Sequence, residues 1–287
     1  MIVHGTMTAI QWYPGHIAKA IGQLREQLQR VDVVIEVLDG RIPLASRHPE
    51  LQQWIGEKPC LLALNKVDCI GAKDLRAWQD WFLQQGIPVY PTQGQSGEGV
   101  NHLRQAALEL GKSVNERRKQ RGMRPRAIRA VVVGFPNVGK SALLNRLLGR
   151  RVVESAARPG VTRQLRWVRL GGELDLLDSP GIIPPVLPDQ QAAFLLAICD
   201  DIGEAAYRPE RVAAYFLDQV RAVQPQAEGI LQKRYGWSTG IPSGEMALQE
   251  LAERQYQGDP ERAGRQILND YRKGLLGSLA LQLPPDA

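Results

Sequence analysis

Residues 128–149 constrain the fold of this chain more than any other stretch. Residues 128–133 are a β-branched apolar run, Gly134-Phe-Pro-Asn-Val-Gly139-Lys140-Ser141 follows at once, and residues 142–148 have a helical pattern that stops at Gly149. A strand, a glycine-rich turn and a helix in that order make a phosphate-binding loop, and that context counts against a turn that matches by chance. The glycines let successive N–H groups converge on phosphate oxygens, and the helix N-terminus adds the positive end of its dipole. In such a loop Lys140 reaches the β and γ phosphates and the Ser141 hydroxyl ligates Mg²⁺, while Asn137, Val138 and Gly139 supply the backbone around them.

The rest of the first two thirds supplies the sheet this unit requires. Helical patterns at residues 18–30, 50–55, 74–85 and 100–110 alternate with apolar runs at 33–38 and 60–64 and a short extended piece at 88–90. That alternation predicts an α/β fold with a doubly wound parallel sheet. Residues 111–125 are polar, basic and weakly periodic, and read as a linker. Residues 164–170 and 173–177, joined through Gly171 and Gly172, read as a hairpin. Beyond Pro188 the pattern turns wholly helical, at 190–199, 210–223, 228–235, 245–256 and 261–275. The cluster Pro184, Pro185 and Pro188 places a boundary near Leu187, giving a domain over 1–186 and an all-helical one over 187–287.

No apolar run approaches the roughly 20 residues a membrane helix needs, so no membrane partner is expected. Cys60, Cys69 and Cys199 lack metal-ligand or disulfide spacing, which fits a reducing cytoplasm. The 287 residues carry 36 Lys and Arg against 30 Asp and Glu. The excess gathers between Lys112 and Arg129, where Arg117, Arg118, Lys119, Arg121, Arg124 and Arg126 face only Glu116 in sequence. Such a cluster suits a phosphate-rich partner, although a solvated basic face is its ordinary alternative.

Three further motifs complete a nucleotide site. Asn65-Lys66-Val-Asp68 closes the apolar run at 60–64, and the Asp68 carboxylate can accept from N1–H and the exocyclic amine of guanine, a pair adenine lacks. Asp178-Ser-Pro-Gly181 follows the run at 173–177; its carboxylate can hold Mg²⁺ through a water and the Gly181 N–H can meet the γ-phosphate. Thr162, in the loop after the phosphate-loop helix, is the natural further hydroxyl for Mg²⁺ when GTP is bound. A poorer signal lies at 92–100, where Gln93 and Gly94 replace the Ser-Ala pair usual in GTPases; the Gly94 N–H remains a candidate donor to the guanine oxygen.

The base-recognition loop therefore precedes the phosphate loop and both switch loops, an order that resembles the circularly permuted Ras-like GTPases. Trp12-Tyr-Pro-Gly-His16-Ile-Ala-Lys19 and Leu38-Asp-Gly-Arg41-Ile-Pro43 resemble the ribosome biogenesis GTPase A (YlqF-like) family. The resemblance implies a circularly permuted P-loop GTPase domain with a C-terminal helical domain. It further implies GTP hydrolysis by a cytoplasmic assembly factor, taken here as a monomer, for the large ribosomal subunit and its RNA. Ile182 stands where Ras-like enzymes keep a water-orienting glutamine, so the resemblance makes His16 the candidate for that water and Asn137 a ligand for K⁺. Two rivals differ in outcome: a nucleotide-gated RNA-binding module with incidental turnover, and a permuted GTPase of the small subunit. The latter family carries an N-terminal barrel and a zinc site for which this chain has neither the N-terminal length nor the cysteines.

Overall fold

The computed structural model describes residue 10 and residues 17–151, 165–168, 172–184, 187, 189–238 and 240–285, with residues 17–20 described by their backbone alone. The apolar runs become the strands β1 (Val33–Asp39), β2 (Cys60–Asn65), β3 (Val89–Thr92), β4 (Ile128–Val133), β5 (Arg166–Val168) and β6 (Leu174–Asp178). They form one sheet in the order β3-β2-β1-β4-β6-β5. Every neighbouring pair is parallel except β5 and β6. All seven residues of β1 are buried, the state a central parallel strand needs to shed water from both faces.

From the middle of the sheet the chain winds outward in two directions, β1 to β3 on one side and β4 to β6 on the other. The crossovers diverge between β1 and β4, and such a switch point leaves a crevice at the strands' C-terminal ends. The loops that follow β1, β2, β3, β4 and β6 all carry sequence motifs. Helices α1 (Ile17–Leu28), α2 (Leu51–Ile55), α3 (Ala72–Gln84), α4 (Val100–Gln120) and α5 (Lys140–Leu147) belong to this unit. One part of its core joins Leu38, Leu62 and Leu64 of the sheet to Trp78 and Phe82 of α3, whose rings lie 5.7 Å apart.

The linker expected over 111–125 is instead mostly helix, since α4 runs on to Gln120. Tertiary contacts explain what periodicity missed. A Cβ at Gly111 would meet the Ile128 side chain, so the helix lies against β4 at that point. Farther along, the Asn115 side chain donates to the Arg126 carbonyl at 2.9 Å and accepts from its N–H at 3.1 Å. The returning chain thus pins a turn of helix that is too polar to advertise itself.

A second compact unit holds α6 (Gln190–Ile198), α7 (Pro209–Val223), α8 (Ala227–Tyr235), α9 (Gly244–Gln255) and α10 (Pro260–Arg272). Each helical pattern read beyond Pro188 forms a helix, and Asp189, Ser243 and Asp259 cap three of them by accepting from backbone N–H groups. Phe216 of α7 packs on Tyr271 of α10 with centroids 4.8 Å apart. Asp270, nearly inaccessible, accepts from Arg234 Nε at 2.6 Å and the Tyr235 hydroxyl at 3.1 Å.

Both chain ends depart from the sequence boundary. Ile10 goes with the helical unit, its N–H donating to Gln190 Oε1 at 2.9 Å. The described residues from Gly277 onward go with the sheet-bearing unit and not with the helices before them. Local propensity says nothing about which core a short terminal segment joins, so neither crossing shows in the sequence.

Candidate nucleotide site

The phosphate loop leaves β4 at Val133 and closes on α5, whose first residue is Lys140. Asn137 has φ 55° and Gly139 φ 98°, the left-handed turns that curl the chain tightly enough to aim its amides inward. Gly139 has a second reason to be glycine: a Cβ there would run into Asn65 Nδ2. Lys140 is buried to 6% exposure, and its ammonium donates to the Phe135 carbonyl at 2.6 Å, inside the loop it follows. Ser141 is the next residue of the same first turn.

Asn65, the last residue of β2, is the hub of the site. Its Nδ2 donates to the Val138 carbonyl of the phosphate loop at 2.8 Å. Its Oδ1 accepts from the Gly94 N–H at 2.9 Å and from Thr92 Oγ1 at 3.2 Å. One amide therefore ties the ends of β2 and β3 to the phosphate loop, with 1% of its surface exposed. Asn65 thus braces the site from within the protein, and the Gly94 N–H is bonded to that brace. Thr92 opens the poorer motif at 92–100, and its hydroxyl is what joins that motif to Asn65.

Asp68 lies exposed on the 3₁₀ turn Val67–Cys69, which Lys66 enters at φ 59°. Lys66 Nζ donates to Asp39 Oδ2 at 2.7 Å, and Arg41 grips the same carboxylate through Nε at 2.9 Å and a terminal nitrogen at 2.7 Å. Burial alone would raise the Asp39 carboxyl, but the two cations hold it well below the ordinary carboxylate range. A fully buried charge is tolerable only with such partners. Asp39 at the end of β1 thus holds Lys66 in the loop after β2, and in sequence it shows as a charge closing an apolar run, inside the motif Leu38-Asp-Gly-Arg41-Ile-Pro43.

Asp178 ends β6 at 1% exposure, in register with Val132 of β4. The next residues are stitched to the same strand end, Ser179 Oγ donating to the Val132 carbonyl at 2.7 Å and the Ile182 N–H to Gly134 at 3.0 Å. A Cβ on Gly181 would come within 2.7 Å of Pro136, so only glycine brings this main chain against the phosphate loop. Ile182 is buried at 3% and cannot orient a water. His16 and Thr162 lie outside the described residues, as do Pro185, Pro188 and the hairpin turn at 169–171.

The ends of β1, β2, β3, β4 and β6 therefore carry the glycine-rich loop 134–141 and the carboxylates of Asp68 and Asp178. Residues 129–233 match the family described as 50S ribosome-binding GTPase. A ribosome biogenesis GTPase A from Bacillus licheniformis is 36% identical over 96% of this chain and 99% of its own length. One from Priestia megaterium is 39% identical over 79% of this chain and 78% of its own. In fold, the chain resembles the crystal structure of GNP-bound YlqF from Thermotoga maritima, with a TM-score of 0.62 and 23% identity across 94% of this chain and 100% of that one. The chain belongs to the ribosome biogenesis GTPase A family of circularly permuted GTPases, and in that role it binds guanine nucleotide and hydrolyses GTP.

Proposed function

We propose that this GTPase serves the late assembly of the large ribosomal subunit, as a cytoplasmic monomer that binds ribosomal RNA. The observation that carries the RNA half of this reading is the far end of α4. Arg117, Arg118, Lys119, Arg121 and Arg124 project from that end and the turn after it, and none makes an ion pair among the described residues. Their basic neighbours differ: Lys112 is paired with Glu109, and Arg126 with Asp32 at 2.7 Å. These five cations, on the helix end and the turn after it, form a surface for a phosphate backbone. The name of the matching family, 50S ribosome-binding GTPase, supports the choice of subunit.

In the nucleotide site, Asp68 reads guanine, Lys66 flanks the base, and the backbone of residues 137–139 with Lys140 cradles the phosphates. The Gly181 N–H meets the γ-phosphate, and His16 orients the attacking water. Ser141, Thr162 and, through a water, Asp178 are hard oxygen donors suited to Mg²⁺, and Asn137 to K⁺. Bound there, Mg²⁺ neutralises charge that develops on the phosphates.

Cosedimentation with separated ribosomal subunits under GDP and under a non-hydrolysable GTP analogue tests this reading. Binding to large-subunit particles that strengthens with the analogue is the expected result. Equal binding to both subunits, or none to either, overturns it.

A further inference from the structure

The last residues of the chain carry an inference that the GTPase reading does not contain. After α10 ends at Arg272, residues 277–285 join the sheet-bearing unit, and Leu279, Ala280 and Leu281 are buried there to 3% or less. Five of the residues they bond belong to the loops after β1 and β2 and to α3. Ser278 Oγ donates to the carbonyl of Asp68 itself at 3.0 Å. The Leu281 N–H donates to the Arg41 carbonyl at 3.0 Å. Gln282 Oε1 accepts from the N–H groups of Leu44 at 2.8 Å and Ala45 at 3.3 Å. The Gln282 carbonyl accepts from Nε1 of Trp78, the buried ring of α3, at 3.2 Å.

These bonds reach the base-recognition loop by two routes. One is direct, through the main chain of Asp68. The other runs through Arg41, which grips Asp39, which in turn grips Lys66, two residues before Asp68. Asp68 itself is exposed on a three-residue turn, and no side-chain bond among those of the described residues fixes its carboxylate beyond a long contact from Cys69 Sγ at 3.9 Å. A carboxylate that must meet two donors of one base at hydrogen-bond distance needs a fixed backbone beneath it.

We propose that residues 278–282 are positioning residues for guanine recognition: the C-terminal segment clamps the loops that carry Asp39, Lys66 and Asp68. The proposal rests on Asp68 being the base reader. It predicts a loss of base discrimination and not merely of stability, because a loosened carboxylate gives up its second bond first. Inosine nucleotides, which lack the exocyclic amine, measure that bond.

The test is the affinity of the full chain for GDP and IDP in Gln282→Ala, in Ser278→Ala and in the double variant, each with a melting curve. Each single variant should lower GDP affinity by about tenfold, the worth of one well-placed hydrogen bond, and bring the GDP-to-IDP ratio toward one. A lower melting temperature with the wild-type ratio intact would reduce the segment to a structural strap and overturn the proposal. Should Gln282→Ala fail to fold, Ser278→Ala alone decides, since it removes only a surface hydroxyl. Asp68→Asn with XDP separates the two readings. If that variant does not gain XDP binding, Asp68 is not the base reader and the clamp's purpose falls with it; if it does, an unchanged ratio in the tail variants overturns the clamp alone.

Discussion

Asn65 Nδ2 donates to the Val138 carbonyl at 2.8 Å, so the residue that opens the base-recognition motif holds the phosphate loop in shape. The two are 73 residues apart in the chain. The same side chain accepts from Gly94 and Thr92, so the ends of β2 and β3 and the phosphate loop are held together through one amide.

Asn65→Ala leaves the Val138 carbonyl and the Gly94 N–H without their partner in a dry place. Each orphaned group costs about 1–3 kcal/mol, so the melting temperature should fall and GDP affinity with it. Asn65→Asp keeps the acceptor for Gly94 but sets a carboxylate against the Val138 carbonyl. It should therefore weaken nucleotide binding more than its effect on stability suggests, as a thermal melt beside a GDP titration will show.

The roles proposed for Lys140 and His16 predict different losses. Lys140→Ala removes the cation at the head of α5 and should abolish nucleotide binding or turnover in a phosphate-release assay. His16→Ala should lower kcat and leave KM for GTP nearly unchanged, because a group acting on water contributes to the transition state and not to ground-state binding. An unaltered kcat in the presence of ribosomal particles would remove His16 from the mechanism.

A buried pair below the site sets an unusual response to pH. Burial pushes the Glu36 carboxyl up from 4.5 to about 7, against the lowering pull of the His48 N–H and Arg47. Burial pushes His48 down from 6.5 to about 4, with Glu50 raising it and Arg25 lowering it further. Glu36 is raised on folding, so its contribution to stability is full below pH 4.5 and is lost as pH rises through about 7. His48 is lowered, so its contribution is full above pH 6.5 and is lost as pH falls through about 4. Between those limits the two slopes oppose one another and the intact protein should be nearly indifferent to pH. Glu36→Gln exposes the histidine slope and should cost roughly 3 kcal/mol between pH 7 and 4, whereas His48→Gln should gain a similar amount on the same descent. Denaturant unfolding across that range is the measurement; parallel curves for both variants would sink the assignment.

The cations at the end of α4 and in the turn after it should reveal themselves through salt. Replacing Arg117 and Arg121 by alanine should weaken RNA binding and reduce the slope of log affinity against log salt by about two, one for each lost phosphate contact. Lys112→Ala, whose ammonium is already paired with Glu109, should change the slope far less.

What the sequence determined alone is what short-range chemistry determines. A phosphate loop works through consecutive amides, so residues 134–141 declare it; the carboxylates at Asp68 and Asp178 each close an apolar run; and the order of the three declares the permutation. Strands buried on both faces and amphipathic helices are equally legible, because burial leaves its period in the residues that undergo it. The tertiary structure decided what depends on partners distant in the chain. Nothing in 111–120 announces a helix until Asn115 meets Arg126. Asn65 reads as the first residue of a short motif until its amide is found bridging Val138 and Gly94. Gln282 reads as one polar residue near the end of a chain until it accepts from Leu44, 238 residues earlier. A hydrogen bond between remote residues leaves no periodicity, because each partner satisfies its local neighbours equally well with or without it. Only the folded chain, which brings the two into a place without water, makes the bond necessary.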